Sequence, residues 1–441
     1  MYLLYQLAIV AYALLVAPTL LLEMARHGKY RGTLRERWGR LPAAINPDRT
    51  PSIWIHAVSV GEVLATRALV PALRARYPDY PVWLSTTTET GRRVAEGVGG
   101  VDGLFYFPVD LSPVVRRVLA RVRPVLVVTV DTELWPNLLR HCSRRGVKTA
   151  LVNGRVSDRS FARYRLAGWF FRRALAPLDL CCAQSEESAR RFTVLGVPPA
   201  RVRVTGNLKF DTLDRPAPRA GWGPDDVRRV FRLSEGRTVV IAASTHSGEE
   251  GPVLDAFAAV RRRDSEALLV LAPRHPERAP ELLAMARARG HEAVARTDLP
   301  VDREPRAAVV VLDTVGELAA LYELATVVFL GGSLVPHGGH NVLEPAVHGK
   351  PVVFGPHMHN FAEIAELFLA NRAACRIDEA SELRPALTRL LADPVERASL
   401  GAAARALVEA HRGATGRSLE ALAALLPPAA APAAVVMRFP T

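Results

Sequence analysis

Two hydrophobic textures alternate along the chain: short, nearly unbroken apolar runs, and stretches in which apolar residues recur every third or fourth position. "SIWIHAV" (52–58) leads into a helical pattern from about 60 to 76, "PVWLSTT" (81–87) into one from about 89 to 97, and "VLVVTVD" (125–131) into one from about 134 to 145. "KTALVNG" (148–154) and "LDLCCAQS" (178–185) extend the series. Strand and helix in alternation predict βαβ units around a mostly parallel sheet. Residues 213–228, "LDRPAPRAGWGPDDVR", break the rhythm with Pro, Gly and charge, which places a linker there. The pattern then restarts: "RTVVIAAS" leads through "THSGEE" into a helix, "EALLVLAPRH" into "PERAPELLAMARARG", and "ATVVFLGGS" through a glycine-rich loop into "NVLEPAVHG". The expected organisation is an α/β protein with doubly wound domains over 51–212 and 229–426, then a low-complexity tail over 427–441. Both halves open alike, with strand, Ser, a short gap and Gly-Glu ("IHAVSVGE" and "IAASTHSGE"). Such sheets bind ligands at the carboxyl ends of their strands.

Residues 2–22, "YLLYQLAIVAYALLVAPTLLL", carry no charge and are long enough to cross a hydrocarbon core of about 30 Å as a helix. There is no basic stretch before them, as a signal peptide would have, while Arg26, Lys29, Arg31, Arg35, Arg37 and Arg40 follow. The expectation is a membrane anchor (1–22), a basic juxtamembrane segment (23–50) and a body kept on the cytoplasmic side. Lying flat in the interface is the other arrangement, although a helix with no polar face suits it less.

At 441 residues the chain exceeds what one core usually serves. A net charge of +13 asks for an anionic partner: nucleic acid, a membrane surface or a phosphorylated lipid. Neither aromatic platforms nor a recognition helix supports nucleic acid. Four cysteines (Cys142, Cys181, Cys182, Cys375) without ligand spacing fit a reduced compartment.

Candidate chemistry collects at the predicted strand ends. In "LGGSLVPHGGHNVLEPAVHG" (330–349), paired glycines let backbone approach a ligand, and a helix expected to begin at Asn341 offers N–H groups to a phosphate. Asn341 and Glu344 also fit a capping arrangement, with Glu344 able to accept from sugar hydroxyls. The absence of a GKS/T ending or a strand-following GxGxxG argues against P-loop and dinucleotide chemistry. The histidines His337, His340, His348, His357 and His359 lack metal-ligand spacing, so no metal is expected. Arg274, in "LAPRHPER", suits phosphate or base recognition, and a surface arginine equally. Asp131 and Glu133 follow "VLVVTV" beside Trp135, and Lys209 is one of four lysines in an arginine-rich chain. Ser59-x-x-Glu62 reads as a capping box, and a helix N-terminus would lower the carboxyl pKa of Glu62 and weaken it as a base.

Taken together and in order, "SVGE", "TELWPNL", "NGRVS", "GNLKFD", "ASTHSGEE", "PRHPER", "GGSLVPHGGHNVLEPA" and "GPHMHNF" resemble the 3-deoxy-D-manno-octulosonic acid (Kdo) transferases of lipopolysaccharide synthesis. The resemblance runs from the N-terminal anchor to about residue 410. It implies a GT-B glycosyltransferase fold of two facing Rossmann-like domains, CMP-Kdo as donor, no cofactor or metal, and a lipid A precursor as acceptor at the cytoplasmic face of the bacterial inner membrane. Carried onto this sequence, it implies Glu62 as general base and Glu133 and Lys209 as transition-state stabilisers. CMP would be held by Arg274 and His275, by Val315, Gly316 and Glu317, and by Asn341, Val342, Leu343 and Glu344. The alternative is another GT-B enzyme that uses a UDP-sugar on a lipid.

Overall fold

The computed structural model describes residues 1–27, 32–212, 231, 236–299 and 307–426. The chain divides into two compact units, Met1–Thr212 together with the chain from Arg412, and Leu213–His411. The predicted linker at 213–228 and the tail at 427–441 lie outside the described residues.

The first unit is built on β1 (Ser52–His56), β2 (Val82–Thr86), β3 (Gly103–Tyr106), β4 (Pro124–Val130), β5 (Lys148–Gly154), β6 (Leu180–Ala183) and β7 (Val202–Val204). All pair in parallel, in the order β3-β2-β1-β4-β5-β6-β7. β1 and β2 are buried along their whole length, because helices cover both faces of such a sheet. Their sequences therefore read as continuous apolar runs. Ile53, Ile55, Leu84, Val128 and Val152 join one core on one face, and Trp54, Trp83, Phe105 and Val127 another on the opposite face. Each fully buried side chain of this kind contributes roughly 1.5–3 kcal/mol.

The second unit repeats the plan with β8 (Val239–Thr245), β9 (Leu268–Pro273), β10 (Ala293–Ala295), β11 (Val309–Val311), β12 (Val327–Leu330), β13 (Val352–Phe354) and β14 (Cys375–Arg376). Its order is β10-β11-β9-β8-β12-β13-β14. In each sheet the strand order reverses beside the first strand, between β1 and β4 and between β8 and β12. That reversal opens the crevice in which doubly wound folds bind ligands.

Three expectations need correction. The helix foreseen from 60 to 76 is two, Val60–Thr66 and Leu69–Arg76. Pro71 lacks the N–H that a continuous helix would donate to the Arg67 carbonyl, and it is tolerated only in a fresh first turn. The second domain does not run to 426. The helix Ala414–Ala423 returns to the first unit, where Ala414, Leu422 and Leu426 enter the core and the Tyr77 hydroxyl donates to the Leu426 carbonyl at 2.8 Å. Asp211 fastens this helix by accepting from the N–H groups of Gly413 and Thr415. Finally, the helix expected at Asn341 begins at Leu343 and holds five residues, Leu343–Val347.

Candidate active site

In the first unit the site lies where β1 and β4 end. Ser59 has extended backbone and precedes the helix Val60–Thr66, yet its side chain accepts no helix N–H. Its hydroxyl donates instead to Glu62 Oε1 at 2.9 Å, while the Val58 N–H donates to Oε2 at 2.7 Å. The capping box is thus only half made, and both partners fix the carboxyl. Burial pushes the Glu62 pKa up to about 7, assisted by the charge of Asp131 and opposed by the Val58 hydrogen bond. The expected lowering by the helix terminus is outweighed by desolvation of the charged form. Burial, and then the charge of Glu62, push Glu133 up to about 8. At neutral pH the pair therefore keeps a proton, held mainly by Glu133.

A relay of hydrogen bonds aligns the other components. Asp131 and Asn153, at the ends of β4 and β5, both take the left-handed backbone conformation (φ 59° and 55°), which Asp and Asn tolerate better than most residues. Asn153 is fully buried; its Nδ2 donates to Asp131 Oδ1 at 2.6 Å and its Oδ1 accepts from the Leu208 N–H at 2.8 Å. The next residue is Lys209, whose own N–H is held by Asn207 Oδ1 at 3.0 Å. A methyl group placed on Gly61 would lie 3.9 Å from the Lys209 ammonium, which puts that ammonium beside the turn that carries Glu62. Beneath this cluster His56 stacks on Phe107 at 3.8 Å, and Phe107 meets Trp135 at 4.6 Å. Burial pushes His56 down to about 3, so it is neutral and serves the packing under the Glu133 loop. Asn153→Ala is expected to lower kcat by roughly tenfold or more and to cost about 1–3 kcal/mol, because Asp131 and the Leu208 N–H lose a buried partner. Steady-state kinetics with thermal melts would check both effects.

In the second unit the first strand again leads through Ser and a short gap into Gly-Glu (Ser244 to Gly248-Glu249), with a different result. Glu249 is completely buried and accepts four backbone N–H groups: His246 at 2.9 Å, Gly332 at 2.7 Å, Ser333 at 3.0 Å and Leu334 at 2.9 Å. Burial raises its pKa against the pull of these bonds. The loop after β12 is therefore wrapped around a carboxylate of the protein itself. It passes so close to β8 that a Cβ on Gly331 would come within 2.5 Å of the Ser244 carbonyl oxygen.

Around this scaffold stands a basic cluster. His246 Nε2 and His340 Nε2 are 2.9 Å apart, sharing one proton, and His337 stacks on His246 at 4.1 Å. Burial, with the positive charge nearby, holds both His246 and His340 near 4. Arg274 adds its charge to both rings and to Glu344. Asn341 links the elements: its Oδ1 accepts from the Leu343 N–H at 3.2 Å and its Nδ2 donates to Glu344 Oε1 at 3.2 Å. The sequence-predicted Arg274, His275, Asn341 and Glu344 thus gather near one place, with Val342 and Leu343 buried beneath them. Val315, Gly316 and Glu317 form a separate loop: Val315 is exposed, Gly316 has φ 91°, and buried Glu317 pairs with Arg296 at 3.0 Å.

Residues 32–212 match the family model described as 3-deoxy-D-manno-octulosonic-acid transferase (kdotransferase). Over 425 residues the chain is 36% identical to the 3-deoxy-D-manno-octulosonic acid transferase of Bordetella pertussis, covering 92% of this chain and 96% of that one. The chain belongs to the Kdo transferase family. The enzyme of that name from Haemophilus influenzae is 34% identical over 398 residues, covering 89% of this chain and 91% of its own. The two-domain GT-B type of fold is shared with the solved UDP-GlcNAc 2-epimerase of Neisseria meningitidis, at a TM-score of 0.52 and 12% identity over 81% of this chain and 98% of that one.

For a Kdo transferase, the sequence pattern does not mark His56, His246 or Glu249 as parts of the site or its support, and it marks Asn153, with Arg155, only as a polar strand end. The role of Asn153 depends on a left-handed backbone that no local pattern announces. The signal for Glu249 is the Gly-Glu pair that follows Ser and a short gap after the first strand, as it does at Glu62. Among the described residues no group of three or more His, Cys, Asp or Glu is arranged to hold a metal.

Proposed function

We propose that this Kdo transferase moves Kdo from CMP-Kdo to a lipid A precursor, with inversion at the anomeric carbon, at the cytoplasmic face of the inner membrane. The observation that carries the reading is Glu62: a carboxyl held by two hydrogen bonds, poised at about 7, with a second carboxyl and an ammonium beside it. A base works best when its pKa is near the working pH. Glu62 takes the proton of the acceptor hydroxyl as that oxygen bonds to the anomeric carbon, and the bond from that carbon to the phosphate oxygen breaks with its electron pair passing to CMP. Glu133, protonated at neutral pH, donates a hydrogen bond to the reacting group, and Lys209 offsets the carboxylate that an octulosonic acid carries. In the second unit Arg274 and His275 suit the departing phosphate, Glu344 and Asn341 the hydroxyls, and the open backbone at Val315 and Gly316, beside Glu317, the nucleotide. The apolar N-terminal helix and the net charge of +13 support an anionic membrane surface as the place of work.

Mass spectrometry of a tetra-acylated lipid A precursor incubated with the purified chain and CMP-Kdo tests this. A product heavier by Kdo is expected, and no addition under conditions where a related transferase works overturns the reading. The pH profile follows from the two carboxyls: kcat rises as the base form of Glu62 fills through about 7 and falls as Glu133 loses the proton it donates above about 8. Stability runs the other way. A carboxyl raised from an ordinary 4.5 favours the protonated folded state, so its contribution is full at low pH and lost as pH climbs through about 7. Activity and chemical denaturation measured between pH 5 and 8 would show the two opposed trends.

A further inference from the structure

The N-terminal helix α1 (Tyr2–His27) has 26 residues, about 39 Å at the usual rise, and one apolar stretch long enough to span a bilayer. A spanning helix puts its two ends on opposite faces of the membrane. Here the first turn sits on the same folded unit as the residues that follow the helix. The Tyr5 hydroxyl donates to Asp110 Oδ2 at 3.0 Å, and its ring meets Phe170 at 5.7 Å. The Tyr2 ring lies under the Arg140 guanidinium at 4.3 Å, and its hydroxyl reaches the Arg173 carbonyl at 3.4 Å. Beyond the other end, Glu36 accepts from the Tyr106 N–H at 2.7 Å and the Arg37 carbonyl from the Val109 N–H at 2.9 Å. Both ends of α1 therefore belong to one side.

The anchoring site at the first turn is built rather than casual. Asp110 is 2% exposed, and besides Tyr5 it accepts the N–H groups of Asn137 and Leu138, both at 2.9 Å, at the start of the helix Pro136–Arg144. Along α1 the partly covered residues Tyr2, Tyr5, Ile9, Ala13 and Val16 recur every third or fourth position. Leu3, Leu4, Leu7, Leu14 and Leu15 face outward, Leu15 at 77% exposure. The helix Gly168–Leu175, whose Phe170 meets Tyr5, exposes Trp169 (57%), and the helix Asp158–Leu166 before it exposes Leu166 (88%). Exposed Arg159, Arg163, Arg165 and Arg172 lie on the same two helices. Exposed leucines and tryptophan together with exposed arginines on this unit match the acyl boundary and anionic headgroups of one leaflet.

We propose that α1 lies along the cytoplasmic surface of the membrane, clamped to the catalytic unit by Tyr2 and Tyr5, and enters a single leaflet through its leucine face instead of crossing. The proposal rests on the membrane reading above. Its test uses the full chain, with a protease-cleavable epitope before Met1 and, separately, a Tyr5→Cys, Phe170→Cys pair treated with a short bis-maleimide. The expected result is a chain that sediments with membranes, an epitope protected in intact spheroplasts and cleaved in inverted vesicles, and efficient cross-linking in those vesicles. A membrane-bound chain whose epitope is cut from outside intact spheroplasts, or whose cysteine pair does not cross-link, overturns the proposal and leaves the membrane reading standing. A chain recovered from the soluble fraction, its leucine face covered by a second copy, overturns both.

Discussion

Glu62→Gln is expected to lower kcat by about 10²- to 10⁴-fold, the usual contribution of a positioned general base, while the fold survives. The amide oxygen of Gln can still accept the Val58 N–H that now binds Oε2 at 2.7 Å, so the entry to the helix Val60–Thr66 is kept. Stability should change by no more than about 1 kcal/mol, the scale of one such bond. Binding of CMP, assigned to groups of the second unit, should be nearly unchanged. The rising limb of the pH profile should vanish along with the rate, because the group that titrates is gone. Kinetics, thermal melts and calorimetry with CMP check the three parts. If the variant unfolds while residual turnover keeps its pH dependence, Glu62 is a cap and not a base.

Glu249→Ala is expected to do the reverse in kind, a loss of the second unit rather than of chemistry. Four N–H donors, of His246, Gly332, Ser333 and Leu334, would be left without their common acceptor in a place that water does not reach. At about 1–3 kcal/mol for each buried unsatisfied donor, partial relaxation still leaves a cost of roughly 4 kcal/mol or more, a large share of the stability of an ordinary domain. Glu249→Gln fills the same volume but turns an NH2 group towards N–H donors, so rescue should be incomplete. Denaturant melts that follow the second unit would register this, and CMP affinity would fall because the loop that bears His337, His340 and Asn341 is no longer held.

These two variants measure how much of the site was legible in the sequence. The repeated order of strand, Ser, short gap and Gly-Glu announces two strand-to-helix turns correctly, but it does not say which glutamate reacts. That depends on partners far along the chain: Glu249 is closed in by a loop 83 to 85 residues away, whereas the Glu62 carboxyl is held by its own turn. The long central strands were readable because burial on both faces leaves unbroken apolar runs. The three-residue strands β7, β10, β11 and β13 and the two-residue β14 are too brief to stand out from loop or helix by periodicity. The pKa of Glu62 was misjudged for the same kind of reason, since a helix terminus is visible in sequence and the burial that outweighs it is not.

The return of residues 412–426 to the first unit bears on the order in which the protein is made. By sequence the second unit is an insertion within the first, and every residue of Leu213–His411 leaves the ribosome before Ala414, Leu422 and Leu426 can complete the first core. Until then the nascent first unit lacks both the helix that Asp211 fastens and the carbonyl that Tyr77 binds. Synthesis that stops near residue 411 would therefore release a finished inner unit attached to an unfinished outer one, with an apolar seam open to chaperones and to other copies of itself.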